Sequence, residues 1–183
     1  MNTLSSSSAD SSWQASSIPK GGTTIMIVDD DPAVLMVGKA MLSTLPYAIV
    51  GAPSGEDALE KLKALIAAGS RPDVIILDLT MPGGMSGLET LQEIRLIDPK
   101  IGIIACSGFF EQSAHELCVA LGFMECIEKP YTSELLTSTV RKCVTKLTEP
   151  VHEPVHEPAV ESDPFNISLA YSSSRSKIVD ASS

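Results

Sequence analysis

The chain has 183 residues, 44% of them hydrophobic, and a formal net charge of −10 from 23 acidic and 13 basic residues. Length and apolar content suit one domain with residues to spare. The acid excess, without a basic cluster, argues against nucleic-acid binding, which needs Lys and Arg against phosphates, and no run approaches the roughly 18 apolar residues that span a bilayer. The N-terminus lacks the basic start and apolar stretch of a secretory signal, and the four cysteines form no Cys-x-x-Cys pair. A reducing cytoplasm is therefore expected, with the thiols buried or half-buried.

In chain order, residues 1–22 are mostly Ser, Ala and Gly and read as a disordered tail. A first strand is expected at about 24–29. Asp31-Pro32 then supplies an N-cap and a proline at the first helical position, opening a helix to about Leu45. Tyr47–Ala52 reads as a second strand. Ser54 caps the next helix, whose apolar positions Ala58, Leu59, Leu62, Leu65 and Ile66 recur at helical spacing up to Gly69. Asp73–Leu77 is the third strand, and Met81-Pro82-Gly83-Gly84-Met85 must be a loop. Ser86 and Glu89 fit a capping box for a helix through about Ile97. A fourth strand at about 101–106, a helix near 111–121 and a fifth strand at about 123–128 follow, and Thr132 caps a last helix. Residues 148–183, acidic and interrupted by prolines, read as a disordered tail or extended linker.

Short Val/Ile-rich runs separated by helix-length stretches indicate buried parallel strands with helical crossovers, hence a three-layer α/β domain. Ligands of such sheets bind beyond the carboxyl ends of the strands. There this sequence places Asp29 and Asp30 after the first run, Asp78 after the third, Ser107 after the fourth and Lys129 after the fifth. Three carboxylates, a hydroxyl and an ammonium on one rim suit a divalent cation and a phosphoryl group.

The motifs Val28-Asp29-Asp30-Asp31-Pro32, Leu77-Asp78-Leu79-Thr80-Met81-Pro82, Ser107-Gly108 and Lys129-Pro130-Tyr131 resemble the receiver domains of two-component response regulators. The resemblance spans residues 23–147 and leaves both tails outside. It implies a flavodoxin-like (βα)5 doubly wound sheet of five parallel strands in order 2-1-3-4-5. It also implies Mg²⁺-dependent transfer of a phosphoryl group to Asp78 from a histidine kinase or histidine phosphotransfer protein. Asp30 matches a direct Mg²⁺ ligand, Asp29 one acting through water, and the Thr80 backbone carbonyl a further ligand. Ser107 and Lys129 match the groups that engage the phosphoryl oxygens after activation. The implied module is a switch for an unnamed downstream protein rather than a conventional enzyme. Its usual signalling face, formed by the helix near 111–121, the fifth strand and the last helix, leaves homodimerisation open.

Three features depart from the commonest pattern. The loop after Asp78 is one residue longer, with Ser86 where aspartate is frequent. Cys126 stands where an aromatic ring usually couples to the hydroxyl, a part Phe109 or Phe110 could take over. Thr80 and Phe109 occupy the positions flanking the hydrolytic water, and bulky Phe109 suggests slow self-dephosphorylation. The rival reading is a phosphorylation-independent scaffold acting through its tails, with Phe165–Tyr171 as a docking segment. An aspartate-nucleophile phosphatase is disfavoured, since Thr80 replaces the acid such enzymes need two residues after the nucleophile. Asp31 reads as a helix cap, and Asp57, Asp73 and Asp98 as cap, strand-start and turn residues. His115 reads as a helix-surface side chain. His152 and His156 are separated by Pro154 and do not suggest a metal site.

Overall fold

A computed structural model describes residues 14–108 and 118–149. Five strands, β1 (Thr24–Val28), β2 (Ala48–Ala52), β3 (Val74–Asp78), β4 (Gly102–Ser107) and β5 (Glu125–Glu128), form one sheet in the order β2-β1-β3-β4-β5. Every pairing is parallel. The expected flavodoxin-like order is therefore present. Helices α1 (Pro32–Leu42), α2 (Gly55–Ala67), α3 (Gly87–Ile97) and α4 (Ser133–Thr148) follow β1, β2, β3 and β5. Of the helix expected near 111–121, residues 118–120 are helical and residues 111–117 lie outside the described set.

Side chains alternate across a strand, so each buried strand feeds two cores. Met26 and Val28, Ile75 and Leu77, and Ile103 and Ala105 join Ala58, Leu62 and Leu65 of α2 and Leu91 and Ile94 of α3 in one cluster. Ile25 and Ile27, Val74 and Ile76, and Ile104 and Cys106 join Leu42 of α1 and Leu136, Val140 and Cys143 of α4 in the other. Buried methylenes contribute about 0.8 kcal/mol each, so this two-sided burial is the main force holding the strand ends in register.

The element ends follow local chemistry. Asp31, Ser54, Ser86 and Thr132 each accept a backbone N–H as N-caps, and Ser86 with Glu89 completes the capping box. Helix α1 stops at Leu42, earlier than expected, because Leu45 precedes Pro46 and pre-proline residues avoid the helical region. Strand β5 begins at Glu125, later than expected, after a turn at Gly122 with φ of +93°. The expected boundary at residue 23 is also crossed. Ala15–Ser17 forms a 3-10 turn, and Ala15 and Ile18 pack against the first core cluster. Ile18, isolated among polar residues, shows no periodicity that would announce this contact.

Gly87 opens α3 directly against the end of β3. A Cβ placed there would lie 2.7 Å from Leu79 Cα and clash with the Asp78 carbonyl oxygen, both backbone. Gly87→Ala is expected to cost about 1–3 kcal/mol, because backbone rather than a flexible side chain must shift. Urea denaturation checks this, as a lower midpoint with an unchanged slope.

Candidate functional site

The sheet order reverses at β1, whose chain neighbours β2 and β3 lie on opposite sides. A crevice beyond the strand ends is the consequence. Val28 pairs with Leu77, so the following residues, Asp29 and Asp78, emerge side by side. Both are buried, with only 4% and 7% of their side chains exposed.

Lys129, at the end of β5, closes the site. Its backbone N–H donates to the Ser107 carbonyl at 2.8 Å, which fixes the end of β5 to that of β4. Its Nζ donates to Asp29 Oδ2 and Asp78 Oδ2, both at 2.6 Å. The remaining carboxylate oxygens serve the adjacent loops. Asp29 Oδ1 accepts the Asp31 N–H at 3.0 Å, and Asp78 Oδ1 accepts the Thr80 N–H at 2.9 Å. Asp30 is exposed, yet ligand oxygens of Asp29, Asp30 and Asp78 all lie within 4.8 Å of one another. The structure thus brings Asp29, Asp30, Asp78 and Lys129 together, with Ser107 at the adjoining strand end. Thr80 meets the set through its N–H.

Burial pushes the Asp29 carboxyl above its ordinary value, and hydrogen bonds from Lys129 and Asp31 offset only part of this. For Lys129, burial acts to lower the value, but the bonds to Asp29 and Asp78 outweigh it and hold the ammonium above the usual lysine range. Both values rise, which favours the neutral form of Asp29 and the charged form of Lys129. The charged lysine is the firmer of the two, since one ammonium serves two carboxylates at 2.6 Å. Burial also drives Tyr131 and Cys106 up to about 12, so neither adds charge near neutrality.

Three carboxylates against one ammonium leave two negative charges at the rim. An all-oxygen donor set with that residual charge fits a hard divalent cation such as Mg²⁺. Beside it, a cavity of about 430 Å³ is lined by Ala33, Val34, Val37, Met41, Pro130 and Tyr131 and reaches Lys129.

Residues 25–141 match the family model "Response regulator receiver domain". The chain belongs to this family. Among its relatives is the chemotaxis protein CheY of Thermotoga maritima, 32% identical over 66% of this chain and 97% of that protein. Another is the sensor kinase CckA of Brucella abortus, 32% identical over 69% of this chain but only 13% of the kinase. The solved structure of Vibrio cholerae chemotaxis protein CheY4 superposes with a TM-score of 0.59 at 24% identity, covering 67% of this chain and 99% of that one, a likeness of fold. In this receiver domain no described helix is long and apolar enough to cross a membrane.

The residues given structural readings have structural partners. Asp31 caps α1 through the Ala33 N–H at 2.8 Å. Asp57 pairs with Lys61, Asp73 accepts the Thr24 N–H, and Asp98 pairs with Arg71. Cys126 is half-buried and packs against the first core cluster, which includes Cys118. Phe109, Phe110, His115, His152, His156 and Phe165–Tyr171 lie outside the described residues. Sequence reasoning missed Glu56, whose Oε1 accepts the Met85 N–H from the loop after β3 at 2.8 Å. Its partner is 29 positions away, and no local pattern announces such a pairing.

Lys129→Met is expected to destabilise the metal-free protein by about 3 kcal/mol at neutral pH, the low end for breaking a buried pair because the lysine is partly exposed. The pH dependence follows from the raised lysine value. The stabilisation is complete below the ordinary 10.5 and is lost as pH rises through the folded-state value. Urea titrations of both proteins at about pH 7 and about pH 11 should show the gap narrowing at the higher pH.

Proposed function

We propose that this receiver domain is a phosphorylation switch with Asp78 as phosphoacceptor. The observation that carries the reading is Lys129 Nζ at 2.6 Å from both Asp29 and Asp78. One cation between two buried carboxylates makes a site whose charge balance changes when either acid is modified.

Asp78 Oδ1 accepts the Thr80 N–H and Oδ2 accepts from Lys129 Nζ; on this reading Oδ2, once the lysine releases it, is the attacking oxygen. In the transfer, Asp78 Oδ2 forms a bond to phosphorus while the donor's P–N or P–O bond breaks, and the leaving group departs with the electron pair. Lys129 must release Oδ2 and follow the charge to a phosphoryl oxygen. Ser107, at the neighbouring strand end, donates its hydroxyl to another on this reading. Asp29, Asp30, Asp78 and the Thr80 carbonyl would hold a divalent cation, which would supply further positive charge against the phosphoryl oxygens. Preorganised charge of this kind provides most of the catalysis in phosphoryl transfer. Movement of Lys129 and Ser107 toward the acyl phosphate then shifts the population of conformers that a partner recognises, by a coupling of about 1–3 kcal/mol.

Receiver domains interact with histidine kinases and phosphotransfer proteins. On this chain the apolar cavity between α1 and Lys129–Tyr131 gives such a donor contact area next to Asp78. The full charged set at the strand ends favours the switch over a scaffold working through the tails.

Incubation with acetyl phosphate and Mg²⁺ is expected to add about 80 Da to the intact mass, a gain absent from Asp78→Asn and from a metal-free control. No gain, even from a phosphorylated donor protein, would refute the reading. Val37 is 44% exposed and lines the cavity. Val37→Asp should slow transfer from a protein donor roughly tenfold while leaving acetyl phosphate transfer unchanged, since only the protein needs the apolar contact. Parallel rate measurements with the two donors check this.

A further inference from the structure

The loop from Leu79 to Ser86 links the acceptor strand to α3, and its two ends are fixed by different means. At the start, Leu79 N–H donates to the Cys106 carbonyl at 2.9 Å, Thr80 N–H donates to Asp78 Oδ1, and the Met81 side chain is buried in the core. At the end, the Ser86–Glu89 capping box and the packing of Gly87 on the Asp78–Leu79 backbone set the entry to α3.

Between these anchors stands Gly83-Gly84, with Gly83 at φ of +89°. Adjacent glycines have the greatest conformational freedom the chain offers. Met85 packs against the first core cluster, and a hydrogen bond to its backbone comes from another element. Glu56, in the first turn of α2, accepts the Met85 N–H at 2.8 Å. A Cβ on Gly84 would lie only 3.3 Å from Glu56 Oε1, so the loop backbone runs tightly along this carboxylate. Glu56 is itself held. Its own backbone N–H, the Met85 N–H and the Ser54 hydroxyl keep the carboxyl below its ordinary value.

We propose that Glu56 is a positioning residue for the site, clamping the Gly83–Met85 stretch so that Thr80 presents its carbonyl to the cation beside Asp78. The inference rests on the phosphoacceptor reading of Asp78 and names the residue that holds the lengthened loop for it. Glu56 and the Met85 amide are exposed, so water can replace the lost bond and global stability depends little on it. What the clamp supplies is restriction of the glycines. Outer partners that orient metal ligands are commonly worth 10–100-fold in affinity, and a clamp acting through the backbone belongs near the lower edge.

The test uses the full chain as wild type, Glu56→Ala and Glu56→Gln. Gln keeps a carbonyl oxygen able to accept the Met85 N–H, and Ala keeps none. Two quantities are read: amide hydrogen exchange at Gly84 and Met85 without metal, and the Mg²⁺ dependence of both metal binding and acetyl phosphate transfer. For Glu56→Ala, loss of Met85 protection and a roughly tenfold weaker Mg²⁺ dependence are expected, with the transfer rate at saturating Mg²⁺ nearly unchanged. Glu56→Gln should retain wild-type behaviour in both. An unchanged Mg²⁺ dependence in Glu56→Ala would overturn the proposal, and so would a Glu56→Gln protein as impaired as Ala. Failure of wild type to accept a phosphoryl group would instead count against Asp78 as acceptor, and the Mg²⁺ binding isotherms would still decide the clamp.

Discussion

Two carboxylates forced together at the ends of adjacent parallel strands are the constraint on which the site depends. The register that pairs Val28 with Leu77 leaves Asp29 and Asp78 no choice but to emerge as neighbours, both buried. Like charges in that setting repel by an amount that burial magnifies, and water cannot screen them. Lys129 relieves the repulsion by bonding to both at 2.6 Å, and its backbone bond to Ser107 holds its strand end in place to do so. The lysine offsets one charge only. With Asp30 close by, the rim keeps an affinity for further positive charge. On the proposed reading, a divalent cation and the phosphoryl group it accompanies answer that imbalance.

The rest of the fold serves to keep those strand ends still. Alternating Ile, Val and Leu residues bury both faces of the sheet under α2 and α3 on one side and α1 and α4 on the other. The acids cannot separate without disturbing one of these cores. Gly87 lets α3 begin against the backbone of Asp78 and Leu79, so the helix after β3 buttresses that strand directly. In the loop after β3, Gly83-Gly84 has the greatest conformational freedom, and Glu56 reaches across from α2 to bond the Met85 N–H beside it. Rigid strand ends with a restrained loop above them suit a switch whose moving parts are a lysine, a hydroxyl and a few backbone atoms.

Much of this was legible in the sequence because the signals are local. Four of the five strands end at or just before a charged or hydroxyl residue, and the caps at Asp31, Ser54, Ser86 and Thr132 lie at the expected helix starts. The juxtaposition of Asp29, Asp30, Asp78 and Lys129 followed from topology once the strands were recognised as parallel. What escaped depends on distant partners. Ile18 packs on the core without any flanking periodicity, and Glu56 meets Met85 only because α2 lies beside the loop after β3. The early end of α1 shows a smaller failure of the same reading. Leu45 suggested one more turn beyond Leu42, but Pro46 decides where the helix must stop. Cys126 stands out in the sequence as a departure, yet its packing against the first core cluster required the fold to be seen.

The most direct test of the central claim is a Mg²⁺ titration of the full chain, followed through the backbone amide resonances of Asp29–Asp31 and Asp78–Thr80. A single saturable site at about millimolar affinity or tighter is expected, with shifts concentrated in those two segments and abolished by Asp30→Asn. Shifts that fail to saturate by about 50 mM, or that persist unchanged in Asp30→Asn, would contradict it. The rim would then be an acidic pair satisfied by Lys129 alone.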